Sequence, residues 1–398
     1  MRASAIAIAA MLAAPHPAAA ATGEGWTVDP TVLQPPAAAQ ATLTDVTALS
    51  GSDVWVVGGW SDLGGHVLAA HWDGTGWTEP PAPEPPTATS RIGLAAVDAV
   101  AADDVWAVGT SSLSVSPPLA AASPRVAAAP LGTQPVALHY TGTAWTSVPV
   151  PSPAGTQTYL NDVDMVSAGD GWAVGSTLTT VPGTTAPTAL RWQAGAWKSV
   201  TLPRSTVPNA ELRAVHAVSA TDVWAVGDEV AAASEYSGLV LHWTGGKWQQ
   251  VTLPALPGAM FNAVTTDPSG AVWIAGDQCQ TGGSGCQPLA MRYSLGSWQV
   301  VTPAAGATEF TAIVAPAADD VWFIGYAETF DVADTDAVEH WDGTTMTLDP
   351  TVPAPPLRPN GDPASALAGA TAAPGGGIWA VGWDMAATAP TTQVIHRD

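Results

Sequence analysis

Asp53-Val54-Trp55-Val56-Val57-Gly58 is the stretch that decides how this chain folds, because it returns six more times. The later copies are Asp104–Gly109 (DVWAVG), Asp170–Gly175 (DGWAVG), Asp222–Gly227 (DVWAVG), Ala271–Gly276 (AVWIAG), Asp320–Gly325 (DVWFIG) and Gly377–Gly382 (GIWAVG). Their tryptophans, Trp55, Trp106, Trp172, Trp224, Trp273, Trp322 and Trp379, recur every 49 to 66 residues. Self-similarity at a near-constant period is the first property any reading must explain. Ahead of most copies stands Leu/Phe-x-x-Val, as in Leu43-Thr44-Asp45-Val46 and Leu212-Arg213-Ala214-Val215. Behind them come apolar runs ending in His or Arg plus an aromatic: His71-Trp72, His139-Tyr140, Arg191-Trp192, His242-Trp243, Arg292-Tyr293 and His340-Trp341. A Gly-rich turn follows, then Trp77, Trp145, Trp197, Trp248 or Trp298, with Met346 in the sixth copy.

Each unit therefore holds four short runs rich in Val, Trp and Ile, separated by Gly, Asp and Ser turns. That pattern predicts four antiparallel strands, and its repetition predicts the blades of a β-propeller. A linear stack would need terminal caps, whereas here the two ends complete one another. Val394-Ile395-His396-Arg397-Asp398 matches a third strand up to the Asp of His71-Trp72-Asp73. The continuation, Gly74-Thr75-Gly76-Trp77-Thr78 in the first unit, stands at the other end as Gly23-Glu24-Gly25-Trp26-Thr27. The expectation is an all-β, seven-bladed β-propeller of four-stranded antiparallel blades, closed by an N-terminal strand that completes the last blade. Such closure leaves no open sheet edge. One domain spans residues 22–398, with blade 7 made of about 362–398 plus 22–32.

Composition excludes other classes. Only 11 % of residues are charged, and the chain has Ala without the Glu and Lys faces that surface helices need. Thirty-four Asp+Glu against 11 Lys+Arg give a net charge of −23, which repels nucleic acid and anionic membranes. Met1-Arg2, an apolar Ala3–Ala14 and the small run Ala18–Ala21 have the layout of a signal peptide over residues 1–21. Its apolar stretch is too short to span a bilayer. A secreted, extracellular monomer is expected. In that setting Cys279 and Cys286 are expected to form a disulfide, and neither a metal nor a cofactor is expected.

The repeat resembles the secreted Trp-rich propeller repeats of actinobacteria, whose units also read Asp-Val-Trp-Ala-Val-Gly … His-Trp-Asp-Gly-x-x-Trp. It is more distantly similar to tectonin-type lectin and neuraminidase-like (BNR) repeats. The resemblance implies the fold and bacterial secretion, but propellers host many unrelated activities. The sialidase Asp-box, Ser-x-Asp-x-Gly-x-Thr-Trp, is not matched by Ser50-Gly51-Ser52-Asp53-Val54-Trp55.

Function is sought by subtraction, since what recurs in every blade belongs to the framework. Asp53, Asp104, Asp170, Asp222 and Asp320 are expected to hydrogen-bond the His or Arg of the third strand in their own blades, with Asp222–His242 as the test pair. All but two of the 19 Trp fall into the recurring positions. The exceptions, Trp60 and Trp383, follow the Gly of the second strand in blades 1 and 7, and Tyr326 stands there in blade 6. A carboxylate accompanies each: Asp62, Asp384 and Glu328. These six are the candidate ligand-binding residues, because rings stack on the C–H face of a sugar while carboxylates accept its hydroxyl protons. That reading requires exposed rings on one face; the alternative is that they cap blade ends. No catalytic residue is assigned, as Arg91, Arg125, Arg204 and Arg358 are scattered and no nucleophile elbow or P-loop occurs. The function expected is a non-enzymatic binding or scaffold module for a glycan or another extracellular protein. A lectin using the aromatics of blades 6, 7 and 1 is the alternative, followed by a glycan-active hydrolase or lyase.

Overall fold

The computed structural model describes residues 25–29, 40–61, 65–84, 90–113, 132–179, 183–205, 207–231, 235–280, 285–327, 335–355, 357, 364–385 and 390–398. The expected signal peptide and most of the Ser/Pro/Ala-rich 110–135 stretch lie outside these residues. The described strands form seven four-stranded antiparallel sheets. Blade 1 runs outward from the axis as Gln40–Ser50, Asp53–Ser61, Gly65–Trp72 and Trp77–Thr78. Blade 7 is built from both ends of the chain: Ser365–Ala372, Ile378–Asp384 and Thr391–Arg397, then Thr27–Val28 as its outer strand. Thr27 stands opposite His396 and Val28 opposite Ile395, so the closure read from Trp26 is present. Trp26 is buried with Trp322, Ile324, Leu367 and Ile395 between blades 6 and 7.

Two recurring sequence features turn out to be one structural device. Each inner strand bulges directly after the recurring Leu or Phe, in the five copies of Leu/Phe-x-x-Val and in the two where Ile313 or Ala370 replaces the Val: after Leu43, Leu94, Leu160, Leu212, Phe261, Phe310 and Leu367. A bulge adds an unpaired residue and re-aims side chains. It also pushes the inner backbone onto the Gly of the second strand. A Cβ at Gly58 would lie 2.9 Å from the Leu43 Cα, which no real side chain tolerates. The repeated Gly is there because the bulge is there.

The recurring Trp is buried between blades; Trp55, for example, packs on Leu94, Val97, Val105 and Trp145 of blade 2. Its own blade holds it from the turn side. His71 Nε2 donates to Asp53 Oδ1 at 2.8 Å and its ring stacks on Trp55 at 4.3 Å between centroids. Blades 2, 4 and 6 repeat this with Asp104–His139, Asp222–His242 and Asp320–His340, at 2.7, 2.7 and 2.8 Å. Blade 3 substitutes a bidentate Arg191–Asp170 pair, both bonds 2.7 Å, with the guanidinium 5.1 Å from the Trp172 ring. Where the Asp is missing, the neighbourhood supplies a partner. In blade 5 Trp273 donates to Asp267 at 2.9 Å, and in blade 7 His396 Nε2 lies 3.1 Å from Thr27 Oγ1.

Candidate functional site

The bulges aim polar side chains into a central channel of about 540 Å³. At the first x of Leu/Phe-x-x-Val, Thr44, Asn161, Asn262 and Thr311 each donate to the backbone of the next blade. Their acceptors are the carbonyls of Leu94 (2.9 Å), Leu212 (2.7 Å), Phe310 (3.0 Å) and Leu367 (2.9 Å). Four aspartates do the converse and accept the next blade's amides: Asp45 from Val97 (2.9 Å), Asp98 from Met165 (2.7 Å), Asp162 from Val215 (2.7 Å) and Asp164 from Ala217 (2.9 Å). The channel wall is thus stitched blade to blade.

Charge is uneven around this wall. Burial pushes Asp45 up to about 7, against the lowering effect of its amide bonds. Burial and the facing charge of Asp164 push Asp98 up to about 7. Burial also raises Asp162 well above the usual carboxylate range. Opposite them His216 donates to Asp164 at 3.1 Å and meets Thr266 Oγ1 at 3.0 Å. Burial acts against its charged form, yet the bond to Asp164 and that carboxylate's charge raise its pKa.

Towards the end of the channel where second and third strands are joined, Arg213 starts a network that runs from blade 4 through Asn262 of blade 5 to Glu309 of blade 6. It donates to Asp228 (2.8 Å) and Asn262 (3.2 Å) and pairs with Glu211 (2.9 Å). Asn262 continues the network to Glu309 at 3.2 Å, and the Tyr326 hydroxyl closes it on Glu309 at 2.7 Å. Asp228 is 2 % exposed and Asp277, beside it, 3 %. Burial, together with the charge of Glu309, pushes Asp277 up to about 7.

The predicted aromatic arc has a different character from the one a sugar platform needs. Tyr326 and Trp383 are 5 % and 6 % exposed and pack on each other's surroundings, Ala364 and Ala366. Trp60 is half-buried and stacks on His66 at 3.9 Å. Asp384 accepts from Thr391 at 2.7 Å, while Asp62 and Glu328 lie outside the described residues. The exposure that a ligand platform would require is not met by Tyr326 and Trp383, which are placed as the capping alternative has them, because the second strand does not end at its Gly. Tyr326 pairs opposite Glu309 and Trp383 opposite Ala366, so both rings remain inside the sheet and between blades.

Cys279 and Cys286 form the expected disulfide. Asp277 approaches both sulfurs, but these are bonded to each other and offer no thiolate to a metal. The disulfide borders a cleft of about 750 Å³ between blades 4 and 5, lined by Glu235, Tyr236, Ser237, Gln278, Gln280 and Gln287. An adjoining groove of about 630 Å³ shares Ser237 and Pro257 and adds Gln250, Thr252 and Leu253. Sequence reasoning missed this cleft and the Arg213 network. The polar residues inside Leu/Phe-x-x-Val were a usable signal for the network; no repeat position marks the cleft.

No family model and no curated protein matches the chain. Its fold is shared by solved β-propellers at low identity. A structure of YCF48 bound to a D1 peptide is 14 % identical over 94 % of this chain and 96 % of that one, with a TM-score of 0.51. An ulvan lyase of polysaccharide lyase family PL25, bound to a GlcA–Rha3S repeat, is 10 % identical over 91 % and 95 %, at 0.56. The WD40 propeller of Doa1 is 11 % identical over 94 % and 97 %, at 0.54. These neighbours include binding scaffolds and a glycan enzyme alike.

Proposed function

We propose that the chain is a secreted, monomeric, non-catalytic binding module whose ligand is a glycan or another extracellular protein. One observation carries this reading: the recurring titratable groups are already committed to the framework. The aspartates and histidines of the turns clamp their own blades, and the aspartates of the channel hold the neighbouring blade's amides. A general acid or base must reach substrate in an adjustable protonation state, and groups fixed in this way are poorly suited to it. Concave surface lined by amides, hydroxyls and one ring instead suits recognition. The absence of a membrane-length apolar helix among the described residues is compatible with export. The test is incubation of the purified chain with a panel of polysaccharides and extracellular proteins. Retention without new reducing ends or unsaturated products is expected; steady product release would overturn the reading.

A further inference from the structure

Building on that binding reading, we infer that the cleft between blades 4 and 5 is the ligand site and that it takes a neutral, hydroxyl-rich glycan chain. The cleft is held in shape before any ligand arrives. The segment crossing from blade 4 to blade 5 is pinned by backbone bonds from Gly258 to the Tyr236 carbonyl (2.8 Å) and from Cys279 to the Gly258 carbonyl (3.0 Å). A bridge joins Ser237 to Pro257, and Gln278 Nε2 donates to the Pro257 carbonyl at 2.8 Å. The Cys279–Cys286 disulfide closes the rim. A site ordered beforehand spends less of its interaction energy on ordering itself.

Its chemistry selects the ligand. Gln280 and Gln287 are exposed, and each amide offers two donors and an acceptor, the complement of neighbouring sugar hydroxyls. Tyr236 is half-buried and adds an apolar face with a polar tip. The charged side chains lining the two grooves, Glu235 and Glu229, are both acidic, on a chain whose net charge is −23. Uronate or sulfated chains are therefore repelled, and nothing in the lining offers them a cation. The continuation into the second groove past Gln250 and Thr252 gives a length suited to several sugar units rather than one.

The experiment is affinity electrophoresis of the mature chain through gels containing a soluble neutral β-glucan or galactomannan, against gels containing polygalacturonate or alginate. Retardation is expected in a neutral gel only. Gln280→Ala with Gln287→Ala, both at exposed positions, should weaken retardation about tenfold with an unchanged melting curve, as a loss of roughly 1.4 kcal/mol implies. Tyr236→Ala should weaken it further. Absence of retardation in neutral gels, stronger retardation in anionic ones, or equal retardation of the Gln variants would overturn the inference. In the last case binding itself would stand and only its place in the fold would fall, whereas product release would refute the binding reading first.

Discussion

The turn side of this ring and its channel wall solve different problems. On the turn side, Asp, Trp and His or Arg tie a blade to itself, and the same clamp recurs with little change because its geometry is local. Along the channel the ties run from one blade to the next, and the group that makes them changes from blade to blade. Thr44 and Thr311 use a hydroxyl, Asn161 and Asn262 an amide, Asp45 and Asp162 a carboxylate, and Arg213 a guanidinium that reaches Asn262 of blade 5 from its own ion pairs in blade 4. At the seam of blades 7 and 1 the device is simply closeness: a Cβ on Gly369 would lie 2.7 Å from the Asp45 Cα. Repetition records a constraint internal to one blade, while variation records what each particular neighbour offers.

The sharpest perturbation is removal of residues 22–30, which takes the outer strand from blade 7 and the Trp26 contact from between blades 6 and 7. Loss of the Thr27–Val28 strand uncovers Thr391–Arg397 and the pocket of Trp26. Aggregation or a melting temperature lower by ten degrees or more (about 8 kcal/mol for a domain of this size) is expected. A truncated chain that melts like the full one would break the comparison at its strongest point. Next in size is Arg213→Ala, which cuts the bond to Asn262 of blade 5 and also leaves Glu211 and Asp228 of blade 4 facing each other without their cation. Removing one partner of a buried pair costs about 3–5 kcal/mol, readable by urea denaturation. An effect below about 1 kcal/mol would mean that blades 4 and 5 do not depend on this network.

The channel also makes stability depend on pH in a defined direction. Asp98 titrates near 7 in the folded protein and near 3.8 when unfolded, so the native state holds the extra proton between those values. Stability is then fully present at low pH and lost as pH rises through about 7, and His216, also raised, acts with the same sign. Asp45, Asp162 and Asp277 are raised too and add to the same trend, so melting curves from pH 5.5 to pH 8 should show a loss of about 2 kcal/mol or more, and Asp98→Asn should make the slope shallower. A profile rising towards pH 8 would contradict the assignment. Smallest is Asp222→Ala, which breaks a single within-blade clamp: below about 1 kcal/mol for so accessible a pair. If it matched Arg213→Ala, the distinction between the two kinds of tie would vanish.

Much of this was written in the chain, though not all in the same script. The blades, their number and the closing strand are legible because Trp, Gly and turn residues repeat in phase, and the Asp222–His242 bond follows from placing both at one turn. The bulge was half-legible: Gly58 and Leu43 each recur, but that one crowds the other is a fact of three dimensions. Tyr326 and Trp383 misled because exposure leaves no trace in a residue's identity. Both sit past a Gly that looks like a strand end, and the pairing runs on through them. The cleft left no pattern at all, since Tyr236 and Gln280 meet across two blades and occur once each.

The pairing of Thr27 with His396 joins residues 369 positions apart. Seen in the order of synthesis, blades 1 to 6 are each complete in a continuous stretch, so the four strands of each can pair once its own residues have been made. Blade 7 cannot. The piece that leads the domain must wait, unpaired, until Thr391–Arg397 arrives, and the ring locks only then. A chain interrupted late in translation would therefore hold the strands of six complete blades and still be open.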